Sequence, residues 1–533
     1  MVNSQINKRL AACVFSFFLI INLISSGGHL DWSDGVLTFF VAESLVTKYS
    51  AKLHPDLPSI SSLYGESEQK QLKLGEAHYT HRSLLLAVIS APVYYVATIL
   101  SISPVFLVAF LVNSFIIALT SLVIFCFSLE IYNSRKIAFI LSLIFTGCSF
   151  ILPYNTSLFP QPLQALCMVL SAYFLYISRE DVNYLLISCH AGTVDNDRGG
   201  IIKKVCNRRE TCFVVLGGLF LGLSVFAHPT SVIVIPGFVV YGIFSMIYTR
   251  KKISFFLISL AIVLALVGLS NYIRFGSFTE FGYYQYALWS WSSLGWTGLV
   301  GLWISPGAGL IIFFPPVILL PLALKYMYRE NRWLFFLILY IITVNWLYFG
   351  TLSYMEPISW SGGLAWGPRY LVSVLPFITL VLGSLLTHLR SNKQKLSLFK
   401  VSIITSLCVI GFMINLLGSI VWVYYFHLYS WEKEQIWRYG GDKIWDQETW
   451  NPYYSPIILD LKILTDRYIS DIQLEHFNGT QWHYVTYGLA PCSYDLYIFC
   501  KFGIIPIVTL FAALAILSTF IIVKDRESAI LKL

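Results

Sequence analysis

Long, nearly unbroken apolar runs alternate with short polar or basic stretches along the chain. They fall at about 10–26, 83–101, 104–128, 137–152, 162–178, 212–227, 230–248, 254–273, 309–327, 333–350, 369–389, 399–425 and 503–523. Many reach the roughly 20 residues that a helix needs to cross a bilayer core. They are continuous rather than ~10-residue alternating segments, which predicts helices and disfavours an outer-membrane barrel. The expected fold class is an all-α polytopic membrane protein.

The basic clusters set the expected topology. They lie at Lys8/Arg9, Arg135/Lys136, Arg179 to Arg209, Arg250 to Lys252, Lys325 to Arg332, Arg390 to Lys400 and from Lys524 onward. If all are cytoplasmic, as the positive-inside rule asks, neighbouring clusters are separated by an even number of crossings. From Arg135 onward the runs pair without adjustment. Three runs precede it, so one does not cross. The 83–101 run contains Pro92, is rich in Ser and Tyr, and follows a polar segment. It is predicted to lie in, or re-enter, the outer interface. The result is about 12 transmembrane helices plus a juxtamembrane helix in the first outer loop, with both termini cytoplasmic. Residues 1–425 form the transmembrane core with first outer loop 27–103, residues 426–502 an outer subdomain, and residues 503–533 a last helix and cytoplasmic tail.

Composition agrees: 57% of residues are hydrophobic and 12% charged, against about 25% charged in soluble domains. The net charge is +8, but no Lys/Arg-rich run interleaves with aromatics, so a nucleic-acid partner is not expected. Of ten cysteines, most sit inside apolar runs as small core residues. Cys492 and Cys500 share the last long outer loop and are a candidate disulfide pair. No Cys/His spacing resembles a zinc site. The first run follows Lys8 and Arg9 as a signal peptide would, but Ile24-Ser25-Ser26-Gly27 is a weak cleavage site, so an uncleaved first span is expected.

Ionisable residues at a membrane boundary are costly and usually have a use. Asp31 and Asp34 follow the first run within Gly27-Gly28-His29-Leu30-Asp31-Trp32-Ser33-Asp34-Gly35. They are candidate catalytic carboxylates and candidate metal ligands. Equally, Asp34 is a natural cap for a helix starting near Val36, and Asp31 a solvated loop acid. Tyr79-Thr80-His81-Arg82 precedes the interfacial helix and suits an anionic headgroup or phosphate; simple interfacial anchoring is the alternative. Pro153 to Pro162, including Gln161, forms an outer turn or lines a pocket. His228-Pro229 is an outer hairpin tip whose His reads as structural. Arg274 and Glu280 end one crossing, and Arg369 opens another, where a helix start and a guanidinium both favour an anion. Trp289, Trp291, Trp296, Trp360 and Trp366 lie in outer segments, as sugar platforms or as an aromatic belt.

In this order, Ser33-Asp34-Gly35, the Thr146 to Pro162 stretch, Asn271 to Gly282, Ile304 to Gly309, Trp360 to Leu371, and Trp450-Asn451-Pro452 with Ser455-Pro456 resemble the GT-C glycosyltransferases. More narrowly they are similar to the bacterial and archaeal relatives of dolichyl-phosphate-mannose-protein mannosyltransferases (glycosyltransferase family 39-like). The resemblance implies an inverting transferase at the extracytoplasmic face of the plasma (inner) membrane. It would move a hexose or pentose from a polyprenyl-phosphate donor to a lipid or protein acceptor. It places the base or metal ligand on Asp34, with Asp31 beside it and Mg or Mn as the candidate cation. His81, Arg82, Arg274 and Arg369 are the candidate phosphate ligands, and Tyr79, Gln161, Glu280 and Trp360 the candidate substrate pocket. This chain departs from the family where Tyr79-Thr80-His81-Arg82-Ser83 replaces a Lys-x-x-Pro-Pro-Gly pattern, where Gln161 replaces Glu, and where His228 replaces Arg. Two other functions compete: a transporter or flippase of a lipid-linked saccharide, and a non-catalytic membrane subunit. The first would want broken spans with polar residues near mid-membrane, whereas the apolar runs contain few ionisable groups.

Overall fold

The computed structural model describes residues 8–30, 32–53, 73–74, 77–80, 82–190, 196–245, 252–282, 296–351, 359–363, 365–391, 398–421, 429–430, 434–439 and 443–465. Apart from a two-residue antiparallel pair, β1 (Lys73–Leu74) with β2 (Ala77–His78), the regular structure is helical. The chain is an all-α polytopic membrane protein. Among the described residues, seven helical stretches are long and apolar enough to cross a bilayer, and each coincides with one of the twelve predicted crossings.

The remaining predicted crossings look different. α1 (Lys8–Ile24) has 17 residues and leads by a glycine turn into α2 (Trp32–Thr47). The sequence places that helix start near Val36; it lies at Trp32, so Asp34 stands within the first turn rather than capping it. α3 (Leu84–Ile99), the predicted juxtamembrane helix, has 16 residues and packs against α2. α4 (Pro104–Tyr132) is the longest crossing in the first half. Ser103 accepts a hydrogen bond from Phe106 N at its start, Pro104 occupies the first turn, and Asn133 ends it in the left-handed conformation. α5 (Arg135–Cys148) is only 14 residues long and is followed by a 3₁₀ turn over Leu152–Thr156.

α6 (Gln161–His190) and α7 (Asn196–Ala227) form an antiparallel pair. Next come a 3₁₀ turn over Pro229–Val234, α8 (Ile235–Ser245) and α9 (Ile253–Phe275). The predicted 309–327 crossing is broken into α11 (Leu310–Phe313), a 3₁₀ turn at Pro315–Leu319 and α12 (Leu320–Glu330), following the short α10 (Trp296–Ile304). Pro315 and Pro316 remove consecutive donors and force the break. α13 (Arg332–Gly350), α14 (Leu375–Ser391) and α15 (Leu398–Ile420) complete the described crossings, with α16 (Lys443–Trp450) and α17 (Pro456–Thr465) behind them. The predicted crossing at 503–523, Cys492 and Cys500 lie outside the described residues.

One large core joins α2 to α15. By contrast, α9 turns Ile258, Ile262, Leu266, Leu269 and Ile273 outward in a stripe three or four residues apart. Such a face would be an aggregation surface in water and is satisfied by acyl chains. Of the cysteines, Cys148 and Cys167 are buried, Cys126 and Cys408 half-buried, and Cys13 exposed.

Candidate anion site at the helix ends

The chain turns sharply between α1 and α2. Gly28 has φ +73°, and a Cβ there would meet the Phe106 ring at 2.6 Å, so only glycine fits. The turn delivers Asp34, almost fully buried, to the end of the bundle. Two arginines meet it. Arg82 Nη2 lies 2.6 Å from Asp34 Oδ1, and Arg369 Nη2 donates to Asp34 Oδ2.

Each arginine is placed by its own local structure. Arg82 stands between Thr80, whose Oγ1 accepts from Arg82 N at 3.1 Å, and Ser83, which caps α3 by accepting from Leu86 N. Arg369 opens a 3₁₀ turn (Arg369–Val374) after Pro368. Gly362, at φ +88°, makes room for its stem: a Cβ there would lie 2.8 Å from Arg369 Cβ. The Arg369 guanidinium carbon sits 3.9 Å from the Phe159 ring centroid, a cation–π contact.

Phe159 is held in turn by a buried polar network. Asn113 Nδ2 on α4 donates to the carbonyls of Tyr154 (3.4 Å), Ser157 and Phe159 (3.3 Å). Asn155 Nδ2 donates to Asn22 Oδ1 (2.9 Å), Ser25 Oγ (2.9 Å) and the Leu152 carbonyl (2.8 Å). These bonds tie the 152–160 loop to α1 and α4, and they consume the amide of the Asn155-Thr156-Ser157 glycosylation pattern.

Arg274, in the last turn of α9, donates to Asn271 Oδ1 at 2.9 Å and to the Thr80 carbonyl at 3.4 Å, and lies over Phe275. It shares one cavity with Asp34, Arg82, Arg369 and His228. His228 Nδ1 is 2.7 Å from Thr230 Oγ1. Loss of hydration, and then the Arg369 guanidinium, push its pKa down to about 3, with Arg82 adding and Asp34 opposing. The imidazole is therefore neutral at physiological pH. Three guanidiniums against one carboxylate give the described cavity lining a net charge of +2.

Four candidate residues thus converge: Asp34, Arg82, Arg274 and Arg369. His228 joins them; the sequence marks it only as a hairpin-tip histidine that reads as structural and as a departure from the family's Arg. The other candidates stand apart from this lining. Gln161 begins α6 next to cavity-lining Pro160, buried, with neither side-chain amide atom hydrogen-bonded. Glu280 accepts from Gly282 N at 2.6 Å. Tyr79 is half-buried. Trp360 is buried, packed against Gly298 and Gly301 of α10 with its ring centroid 6.0 Å from that of Trp450. Trp366 donates to Asn415 Oδ1 at 3.1 Å, and Trp296 is exposed. Asp31, His81, Trp289 and Trp291 lie outside the described residues.

Among the described residues, no group of three His, Cys, Asp or Glu side chains is arranged to hold a metal ion. Both Asp34 oxygens face guanidiniums, so the described residues by themselves do not fit a divalent cation. A cation site would need Asp31 and the release of Asp34 from at least one arginine.

Fold and site together define a polytopic helical membrane protein with an arginine-lined cavity where its helices end. No protein-family model and no curated protein matches the sequence. Solved structures are similar, two of them as follows. One is the archaeal oligosaccharyltransferase AglB from Archaeoglobus fulgidus in complex with an inhibitory peptide and a dolichol-phosphate. It is 12% identical with a TM-score of 0.48, over 80% of this chain and 59% of that one. The other is the apo form of the Archaeoglobus fulgidus oligosaccharyltransferase, 11% identical with a TM-score of 0.45, over 85% and 60%. This chain therefore spans about three fifths of the length of these structures.

Proposed function

We propose that this protein is a membrane glycosyltransferase that moves a sugar from a polyprenyl-phosphate donor to a hydroxyl acceptor on the extracytoplasmic face. The observation that carries the proposal is the convergence of Arg82, Arg274 and Arg369 on one cavity beside Asp34. The ordered motif resemblance supports the reaction class. The position of the cavity at helix ends, rather than at mid-membrane, favours a transferase over a flippase.

Charge decides what such a pocket does best. A sugar phosphodiester carries one negative charge, and the phosphate monoester it leaves behind carries nearly two. A lining of +2, which rises as Asp34 takes up a proton, therefore favours the charge that develops as the bond breaks over the single charge of the bound diester, and complementarity to the transition state is what accelerates a reaction. The acceptor oxygen attacks the anomeric carbon, the bond from that carbon to the phosphate oxygen breaks with its electrons, and the acceptor proton passes to Asp34. A single displacement inverts the anomeric configuration.

Asp34 is not free to do this while both its oxygens hold guanidiniums. An entering phosphate competes for those same groups, and capture of Arg369 or Arg82 by the phosphate releases one carboxylate oxygen to the acceptor. Donor binding thereby arms the base. If Asp31 and a divalent cation complete the site, the cation would supply charge for the leaving phosphate.

The test is transfer by the purified full-length protein in lipid nanodiscs. Polyprenyl-phosphate sugars are offered with hydroxyl acceptors, and release of polyprenyl phosphate is measured. Acceptor-dependent release is the expected result. Movement of the lipid-linked sugar across vesicles with no transfer product would replace the proposal with a flippase.

A further inference from the structure

His228 is a single histidine at a turn, but its hydrogen-bond partners determine which ring nitrogen carries the proton. A backbone carbonyl, which can only accept, sets the first direction. Ser231 Oγ donates its only hydrogen to the Ser224 carbonyl at 2.9 Å. That oxygen therefore acts as acceptor toward Gln164, whose Nε2 is 2.9 Å away, and this fixes which end of the Gln164 amide points here. The same Nε2 reaches Thr230 Oγ1 at 3.3 Å. Giving its own hydrogen to His228 Nδ1, 2.7 Å away, satisfies the Thr230 hydroxyl, whereas the opposite direction would leave that hydrogen with no acceptor among the described residues. A neutral imidazole whose Nδ1 accepts carries its hydrogen on Nε2. Gln164, Ser224 and Ser231 are buried, and Thr230 and His228, half-buried, form the end of the relay that faces the cavity. Among the described residues, Nε2 makes no hydrogen bond, while the ring lines the cavity with Asp34, Arg82, Arg274 and Arg369.

We propose that His228 is a fourth phosphate ligand, a neutral Nε2–H donor whose tautomer is set by the Ser224–Ser231–Gln164–Thr230 relay. The inference rests on the phosphate-binding function proposed above and adds a directional contact to it. Neutrality is the point of using this side chain. A fourth cation would raise the resting charge of the lining from +2 to +3, and higher once Asp34 is protonated, and hold the departing phosphate monoester more tightly. A neutral donor orients the phosphate without adding charge. The lowered basicity described above keeps the ring in this state beside two arginines.

The test uses the full-length chain in lipid nanodiscs, labelled with ¹⁵N in its histidine rings, and a short-chain prenyl phosphodiester of a hexose as probe. The His228 signals are assigned by their loss in His228→Gln. A pyridine-type Nδ1 and pyrrole-type Nε2 are expected before binding, with the Nε2–H resonance moving downfield on adding the probe. Thr230→Val, which keeps the shape and removes the hydroxyl, should mix the tautomers and weaken binding about tenfold. A proton on Nδ1, or an Nε2 signal that the bound probe leaves unmoved, overturns the inference. So does wild-type affinity in both Thr230→Val and His228→Phe; if Arg369→Met still abolishes binding there, the phosphate site survives without His228. A wild-type protein that binds no phosphodiester removes the phosphate site and this inference together.

Discussion

Asp34 and Glu448 are both carboxylates at the ends of helices, and both are almost fully buried. They are treated differently by their surroundings. Asp34 faces Arg82 and Arg369 and opens onto a cavity. Glu448, on α16, is pushed up to a pKa of about 8 by desolvation. Its backbone carbonyl is so close to Gly307 that a Cβ there would meet it at 2.2 Å, and the neighbouring Thr449 carbonyl accepts from Gly307 N at 3.1 Å. Glu448 is thus part of a clasp between α16 and the turn after α10. Burial alone does not mark a function; at Asp34 it comes with two guanidiniums and a cavity.

The largest effect should follow from Asp34→Asn. It keeps the shape of the side chain but leaves two guanidiniums without their shared carboxylate. Transfer is expected to fall at least about 100-fold. Stability should drop by about 2–3 kcal/mol as uncompensated charge remains largely buried, read as a lower thermal midpoint. Turnover at the wild-type rate would remove Asp34 from the mechanism.

Arg369→Lys keeps the charge and loses the flat guanidinium that both bonds Asp34 and stacks on Phe159. About a tenfold loss of transfer is expected, with a smaller loss of stability. Equal activity would mean that only the charge counts.

Glu448→Gln should act in the opposite sense to Asp34→Asn. The folded pKa is raised above the unfolded value of about 4.5, so the folded state binds the extra proton. Stability contributed by the neutral carboxyl is present at low pH and lost as pH rises through about 8. The wild type should therefore lose thermal stability as pH rises from about 4.5 to about 8. Glu448→Gln should flatten that loss with transfer unchanged. An inactive Glu448→Gln that still folds would erase the contrast between the two acids.

The smallest effect is expected at Gly35. A Cβ there would lie 3.4 Å from Leu158 Cβ, an ordinary contact. Gly35→Ala should change activity less than about twofold, whereas a larger side chain would press on the loop that carries Phe159. A severe loss in Gly35→Ala, read in the same transfer assay, would show that this loop tolerates no displacement.

Much of the site was legible because its members are rare residue types in an apolar chain. A carboxylate between glycines just after α1, and arginines at the ends of apolar runs, are conspicuous where only 12% of residues are charged. What the sequence did not carry is pairing across distance: nothing local joins Arg369 to Asp34, 335 positions away. His228 reads as structural in the sequence for the same reason, since its meaning comes from Thr230, Gln164 and the arginines around it. Long crossings such as α4 and α9 were readable from continuous apolarity. The break at Pro315-Pro316 and the shortness of α5 reflect tertiary packing, which hydropathy does not report. The start of α2 was misplaced because its first turn, Trp32-Ser33-Asp34-Gly35, is not apolar, although Ser and Asp are at home in a helix's opening turn.

The separation of Asp34 from Arg369 also has a meaning for biogenesis. Asp34 and Arg82 emerge from the ribosome within one short stretch of synthesis, and their charges cancel. Arg274 follows only after several further helices have been made, and Arg369 later still. The nascent chain therefore inserts with an electrically balanced pair at this corner, and acquires its positive excess only once most of the described crossings have been synthesised to shield it. A chain truncated before Arg369 would carry the same acid and the same first arginine, but not the pocket.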